Sequence, residues 1–181
     1  MRIDAIIVGV ILVAFLWWMH RQARNRIRAG RSAIYDDCLA LFSDVSISQD
    51  DVNYPVMRAR YLGLNITIEP LVDNIAVRKI PVLWLMVSIK APVPYTSILD
   101  FLVRPQNTEF YSPSAGLLTS LDIPANWPQH AALRTNDVGG MPPTEVVGRC
   151  VSRVFEDPKH KELLITPKGV RMVYLVDEAL R

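Results

Sequence analysis

The chain has 181 residues, of which 50% are apolar and 21% charged, and its formal net charge is +2. This length accommodates one ordinary domain with a short appendage, and the composition excludes a disordered chain, a collagen and a disulfide scaffold. The charge is unevenly distributed. Residues 1–31 hold six arginines and one aspartate, a net charge of +5, whereas residues 32–181 carry a net charge of −3. The two parts of the chain therefore have different roles.

Residues 1–21 are predicted to form a transmembrane anchor. The stretch 5–19 contains no charge and no proline, and at about 1.5 Å per residue it spans roughly 22 Å. The usable length increases if Ile3 is included and if the side chains of His20 and Arg21 extend outward to the interface. It then approaches the thickness of the hydrocarbon core, about 30 Å. A buried core helix and a cleavable signal peptide are the alternatives. Both are disfavoured, because arginines follow the stretch directly and no small-residue cleavage site does.

Aromatic and basic residues mark the expected membrane interface at the end of this segment. Trp17 and Trp18 stand where an interfacial aromatic belt belongs. The basic residues assigned to the interface are Arg21, Arg24, Arg26 and Arg28. We interpret this run as a topology determinant, either alone or combined with binding of anionic lipid headgroups. A nucleic-acid partner is not expected, since the run adjoins the bilayer and the rest of the chain is net acidic.

The same arginines predict the orientation of the anchor. Five of them lie within residues 21–31, whereas only Arg2 and the terminal amine precede the apolar stretch. Because basic residues near a span resist translocation, we expect the large C-terminal part in the cytoplasm. A periplasmic or otherwise extracytoplasmic domain is the alternative. Cys38 and Cys150 are interpreted as two small buried thiols, although a single disulfide bridge would also fit their number.

Residues 22–53 are predicted to form a basic juxtamembrane arm that continues as an amphipathic helix. No proline occurs before Pro55, although the chain has 13, which indicates a helical region. After Gly30, apolar residues recur on one face with helical spacing, namely Ile34, Cys38, Leu41 and Phe42. We expect this face to pack on the following domain. The alternative is that Ile34, Leu41 and Phe42 contact a partner protein or lipid.

The periodicity changes to that of strands in the predicted domain, residues 54–181. Residues 56–62 and 64–69 form a predicted hairpin around Gly63, because apolar and polar residues alternate in the second segment. The apolar run IPVLWLMVSI, residues 80–89, is interpreted as a central strand covered on both faces. The alternative is an interfacial patch in which Trp84 contacts lipid or a partner. A further strand is expected over 97–104.

The rest of the domain is predicted to contain loops, one helix and one hairpin. Five prolines between residues 113 and 143 interrupt regular structure, so we expect loops with at most one short helix there. Residues 145–155 carry an apolar stripe after a Pro-Pro-Thr start and are predicted to be helical. The segments ELLIT and VRMVYLV flank Pro-Lys-Gly and form a predicted C-terminal hairpin. The fold class is α+β: a single N-terminal transmembrane helix, then a small mixed α/β domain with a mainly antiparallel sheet.

Motifs that would identify a chemistry are missing from the sequence. His20, His130 and His160 are isolated from other candidate metal ligands, and no phosphate-binding glycine pattern is present. We therefore expect no catalytic residues, no metal and no cofactor. The leading hypothesis is a non-catalytic accessory, scaffold or assembly subunit of a larger membrane complex, with a membrane protein or a second copy as partner. A membrane-proximal module that binds a lipid or another apolar ligand is the second hypothesis, and an enzyme with a site assembled only in three dimensions is the third.

Overall fold

One long helix, α1 (Arg2–Ser32), leads into a sheet domain in the computed structural model, which describes residues 2–73, 82–105, 109 and 111–177. The helix has 31 residues, a length of roughly 46 Å at 1.5 Å per residue. It passes without interruption from the apolar stretch into the basic run, because neither contains proline. The predicted N-terminal helix is confirmed, and it continues past residue 21 and through Gly30 to Ser32.

The connection from α1 to the sheet differs from the expected amphipathic helix. It consists of two short 3-10 turns, Ala33–Tyr35 and Leu39–Leu41, followed by a strand. The buried hydroxyl of Tyr35 lies 2.8 Å from the carbonyl oxygen of Pro55 and 3.0 Å from that of Ile68. These contacts hold the turn against two separate segments of the sheet domain. A continuous helix would not keep the Tyr35 hydroxyl in contact with these two carbonyl groups. The tertiary contacts therefore override the local preference for a helix that the residue spacing predicts.

Within the described residues, nine strands form a single sheet in which every pair is antiparallel. They are β1 (Ser43–Ser48), β2 (Val56–Tyr61), β3 (Leu64–Asp73), β4 (Val82–Lys90), β5 (Leu99–Val103), β6 (Thr119–Leu121), β7 (Ala131–Thr135), β8 (His160–Thr166) and β9 (Gly169–Asp177). Their order across the sheet is β1-β2-β3-β4-β9-β8-β5-β7-β6. One further helix, α2 (Thr144–Val154), precedes β8. The α+β class and the mainly antiparallel sheet are confirmed.

Most of the predicted elements are present in the structure. The hairpins β2-β3 and β8-β9, the strands β4 and β5, and helix α2 lie where the sequence predicts them. The first two residues of the predicted central strand, 80 and 81, lie outside the described residues. β4 pairs with β3 on one side and with β9 on the other. It is therefore an interior strand of the sheet.

Two regions depart from the sequence prediction. Strands β6 and β7 occur in the stretch expected to contain only loops and at most one short helix. The prolines between them, Pro124 and Pro128, fall in the connection and leave both strands free to pair. β1 also pairs with β2, so the sheet begins at Ser43 and includes residues assigned to the juxtamembrane arm.

The apolar core covers one face of the sheet in two clusters. The first lies under α2 and comprises Leu99, Phe101, Val103, Trp127, Leu133, Val147, Val151 and Leu163. The second lies under the 3-10 turns and comprises Tyr35, Met57, Ala59, Ile66 and Ile68. Ile89 packs on the second cluster and is directly opposite Val170, which packs on the first. Helix α2 and the end of the juxtamembrane connection therefore cover the same face of the sheet.

Candidate functional site

The apolar segment of α1 is uncovered by the rest of the described chain. The large apolar side chains of residues 6–19 are between 49% and 68% exposed. By length and composition, α1 provides the one helix among the described residues that could cross a membrane. None of that apolar window is buried, so α1 is not a core helix of the domain. An exposed apolar helix of this kind serves as a transmembrane anchor or as a signal sequence.

The residues assigned to the interface lie on two sides of α1. Trp17, Arg21, Arg24 and Arg28 are spaced by four, three and four positions and share one face. The guanidinium carbon of Arg21 lies 5.4 Å from the centre of the Trp17 ring, a cation–π contact. Trp18 lies off this face, and its ring stacks on Phe15 with centroids 6.1 Å apart. Arg26 is exposed and lies away from the Trp17 face, two residues beyond Arg24.

A loop of the sheet domain binds the basic part of α1. This junction loop, residues 49–53, lies in the connection between β1 and β2. Asp51 forms a hydrogen-bonded ion pair with Arg24, and Arg31 donates a 2.7 Å hydrogen bond to the carbonyl oxygen of Val52. The side-chain amide of Gln49 donates to the carbonyl oxygen of Arg28 at 3.1 Å. Three contacts over two helical turns therefore connect α1 to the sheet.

The ion pair at the junction loop is accompanied by opposite shifts of two pKa values. The hydrogen bond from Arg24 lowers the pKa of the Asp51 carboxyl, and the same contact raises the pKa of Arg24. Asp51 is therefore ionised at neutral pH. The interface residues predicted from the sequence did not include Gln49, Asp51 and Val52. The sequence of a polar loop does not indicate which helix the loop contacts.

The other four candidate contact residues differ in how far the fold buries them. Ile34 and Phe42 pack on the core cluster beneath the 3-10 turns. Leu41 is 65% exposed. Trp84 is only 7% exposed, and its ring lies 6.0 Å from that of Tyr111. Of these residues, Leu41 alone presents most of its side chain to the surroundings.

A second polar cluster is buried on the face of the sheet opposite α2. Asp100 on β5 and Glu162 on β8 have 0% exposure, and Arg171 on β9 donates a 2.9 Å hydrogen bond to Glu162. A segment that we call the strap, residues 111–117, crosses these side chains. Its carbonyl groups at Tyr111 and Ser114 accept hydrogen bonds, each of 2.9 Å, from Arg171 and Arg134 respectively. The cluster therefore attaches the strap to the sheet.

Burial changes the pKa of one carboxyl group in this cluster, that of Asp100. Loss of hydration, the largest effect, and the nearby charge of Glu162 together raise the pKa of Asp100 to about 7, and hydrogen bonds from Ser114 and Ser112 oppose this shift. Asp100 and Glu162 are enclosed between sheet and strap, where a substrate has no access in this conformation. Within the described ranges, no group of three histidine, cysteine or acidic residues is arranged to hold a metal ion.

Comparison of the chain with protein-family models, with curated proteins and with solved structures finds no match. The site is therefore interpreted from its own geometry.

Proposed function

We propose that the protein is a single-pass membrane protein in which α1 crosses the bilayer and holds the sheet domain at the membrane surface, as an accessory or assembly subunit of a larger complex. The observation that carries this proposal is the exposure of the apolar half of α1, 49–68% for its large side chains, in a helix whose basic half is bonded to the domain. So many exposed apolar side chains are expected to be buried against another apolar surface. The length of the apolar segment fits the hydrocarbon core of a lipid bilayer.

The junction loop supports retention of the helix as part of the working protein. Arg24 and Arg31 lie in the same continuous helix as the apolar segment, and both bind the loop. A helix that served only for export would need no contacts with the folded domain. The contacts also limit how far the domain can move from the bilayer, because no flexible linker separates α1 from β1.

The exposed edge of the sheet supports the assembly role. All six residues of β1 are exposed, and within the described residues its outer side pairs with no strand. A bulge between Ser43 and Ser46 and the positive φ of Asp44 interrupt one end of this edge. Residues 46–48 remain regular and present Ile47, which is 43% exposed. An edge strand of this kind offers backbone groups to a strand of a partner protein.

The proposed cytoplasmic location of the sheet domain follows from the basic half of α1. Five arginines on the domain side of the apolar segment oppose transfer of that side across the membrane. The hypothesis of an apolar ligand in the domain has less support, because it depended on an exposed surface around Trp84, which is 7% exposed.

Two measurements on the full chain test the proposal. An alkaline wash of membranes should leave the protein in the pellet, and detergent should release it; release by the alkaline wash alone would contradict the anchor. A photo-crosslinking residue at Ile47 should form a defined adduct in membranes, whereas one at Val146, which is 49% exposed on α2, should not. A strictly monomeric mass in mild detergent, together with equal crosslinking at both positions, would contradict the assembly role.

A further inference from the structure

A cleft of about 300 Å³ lies where α1 meets the junction loop. One wall is the helix face that carries Trp17, Arg21, Arg24 and Arg28, and the opposite wall is formed by Asp51 and Val52. Side-chain donors of His20 and Asn25 also line it. The cleft thus combines one aromatic ring with several cationic or polar donors.

The charges in this cleft are only partly neutralised. Arg24 is paired with Asp51, whose negative charge it compensates. Arg21 stacks on Trp17, and Arg28 contributes a weaker electrostatic effect on Asp51. Among the described residues, neither Arg21 nor Arg28 forms an ion pair with a carboxylate at hydrogen-bonding distance. Two guanidinium groups on one helix face therefore remain available to an anion.

The position of the cleft along α1 matches the headgroup region. This step rests on the proposed function, in which α1 spans the bilayer with Trp17 at the interface. Arg21 is four residues beyond Trp17 and Arg28 is eleven beyond it, which places them roughly 6 and 16 Å farther along the helix axis. The headgroup zone on each side of the hydrocarbon core is about 5–8 Å thick. Arg21 lies within that zone, and the side chain of Arg28 can extend toward it from the aqueous side.

We propose that this cleft binds the phosphodiester headgroup of an anionic membrane lipid between Arg21 and Arg28. Guanidinium groups bind phosphate oxygens through charge-assisted, often bidentate hydrogen bonds. The Trp17 ring holds Arg21 in place at the depth of the phosphate. A lipid bound here also contacts the junction loop, so that it links the membrane to the sheet domain and fixes the angle between them.

The test uses the full chain in nanodiscs of phosphatidylcholine with a minority of phosphatidylglycerol, and measures retained lipid by native mass spectrometry. R21Q and R28Q should each reduce retention of phosphatidylglycerol by about tenfold, the size expected for loss of a charge-assisted hydrogen bond. R26Q removes the same charge from a different side of α1 and should change retention less than twofold. Equal losses in all three variants would overturn the site, since diffuse attraction to the surface predicts that result.

Further measurements distinguish a lipid headgroup site from a site for a free anion and from failure of the membrane anchor. R28K keeps the charge but loses the planar fork, and it should retain less phosphatidylglycerol than the unaltered chain and more than R28Q. Inorganic phosphate should fail to displace the lipid; complete displacement would assign the cleft to a free anion and overturn the lipid proposal. Each variant is first tested for alkaline resistance. Release of the unaltered chain from membranes by the alkaline wash would overturn the membrane anchor. If the unaltered chain and all variants stay in the membrane and retain equal amounts of phosphatidylglycerol, only the headgroup site would be overturned.

Discussion

Arg171 and Glu162 form a 2.9 Å hydrogen-bonded ion pair between the adjacent strands β9 and β8. The Glu162 side chain has no exposure, and that of Arg171 is 23% exposed. The same guanidinium group donates a hydrogen bond to the carbonyl oxygen of Tyr111 in the strap. One arginine therefore links a buried carboxylate to a crossing segment, and a change in this cluster is expected to alter the stability of both.

The stability of the domain should fall as pH rises from about 4 to about 7 because of Asp100. Its pKa is about 7 in the folded chain and about 3.9 in an unfolded one. Between these values the folded state keeps a proton that the unfolded state loses, so the free energy of unfolding decreases with rising pH. The decrease is at most roughly 4 kcal/mol, at about 1.4 kcal/mol for each pH unit. Urea unfolding in detergent, followed by tryptophan fluorescence at several pH values, measures it.

Two variants assign this pH dependence to the buried pair. D100N keeps the shape of the side chain without its titration, and its unfolding free energy should lose most of the slope between pH 4 and 7. E162Q removes the neighbouring charge that raises the pKa of Asp100, so the midpoint should move to lower pH. An unaltered slope in D100N would show that another group is responsible. D44N removes a mostly exposed ion pair with Arg60, in which the charged groups are 3.6 Å apart, and it should change stability by less than about 0.5 kcal/mol.

Removing the hydroxyl of Tyr35 should weaken the attachment of the 3-10 turn to the sheet. This hydroxyl is buried and contacts the carbonyl oxygens of Pro55 and Ile68. Y35F leaves both oxygens without this donor, at an expected cost of about 1–2 kcal/mol. Urea unfolding of the full chain measures the loss. Y61F, at a ring that is 44% exposed, serves as the control and should be near neutral; equal losses in both variants would contradict the assigned role.

Gly169 at the start of β9 should not tolerate a side chain. Its φ is +150°, and an added Cβ would collide with the carbonyl oxygen of Ile89 on β4. Since that oxygen belongs to the backbone of an interior strand, G169A should destabilise the domain by roughly 2 kcal/mol or more. Gly116 has no atom within 4 Å of such a Cβ, and G116A should be nearly neutral. Thermal unfolding of both variants in detergent compares them, and similar midpoints would contradict this packing.

The two thiols should differ in reactivity. The expectation that both thiols are buried is wrong for Cys150, which is exposed on α2. Cys38 is partly buried, and its Sγ donates to the carbonyl oxygen of Tyr35 at 3.2 Å. Burial raises the pKa of the Cys38 thiol and so reduces its reactive thiolate. A maleimide should therefore modify Cys150 first, as peptide mass spectrometry would show. Faster labelling of the C150S variant than of C38S would contradict the expected order.

The same reaction tests the proposed orientation of α1 in the membrane. With a membrane-impermeant maleimide, Cys150 should be protected in intact cells and labelled after lysis if the domain is cytoplasmic. Labelling while the inner membrane is intact would place the domain on the other side. C150S provides the background for both conditions.

Local patterns were sufficient to predict much of the fold. A charge-free stretch without proline predicts the first half of α1, alternation around Gly63 predicts β2-β3, and two apolar runs around Pro167 and Gly169 predict β8-β9. Each depends on neighbours a few residues apart, where periodicity is informative. The strand β7 was missed because prolines on its N-terminal side gave a loop signal, while its pairing with β5 joins residues that are 28 to 36 positions apart in the chain.

The sequence alone determined that this chain has an apolar, basic-flanked helix and a strand-rich domain, because hydropathy, charge and short-range periodicity depend on the order of residues. Only the tertiary structure decided that Asp51 pairs with Arg24, that Trp84 lies inside the sheet domain, and that Asp100 and Glu162 share a buried face. These relationships join residues that are distant in the chain. They depend on strand order and on the depth at which each side chain is buried, which residue spacing does not encode.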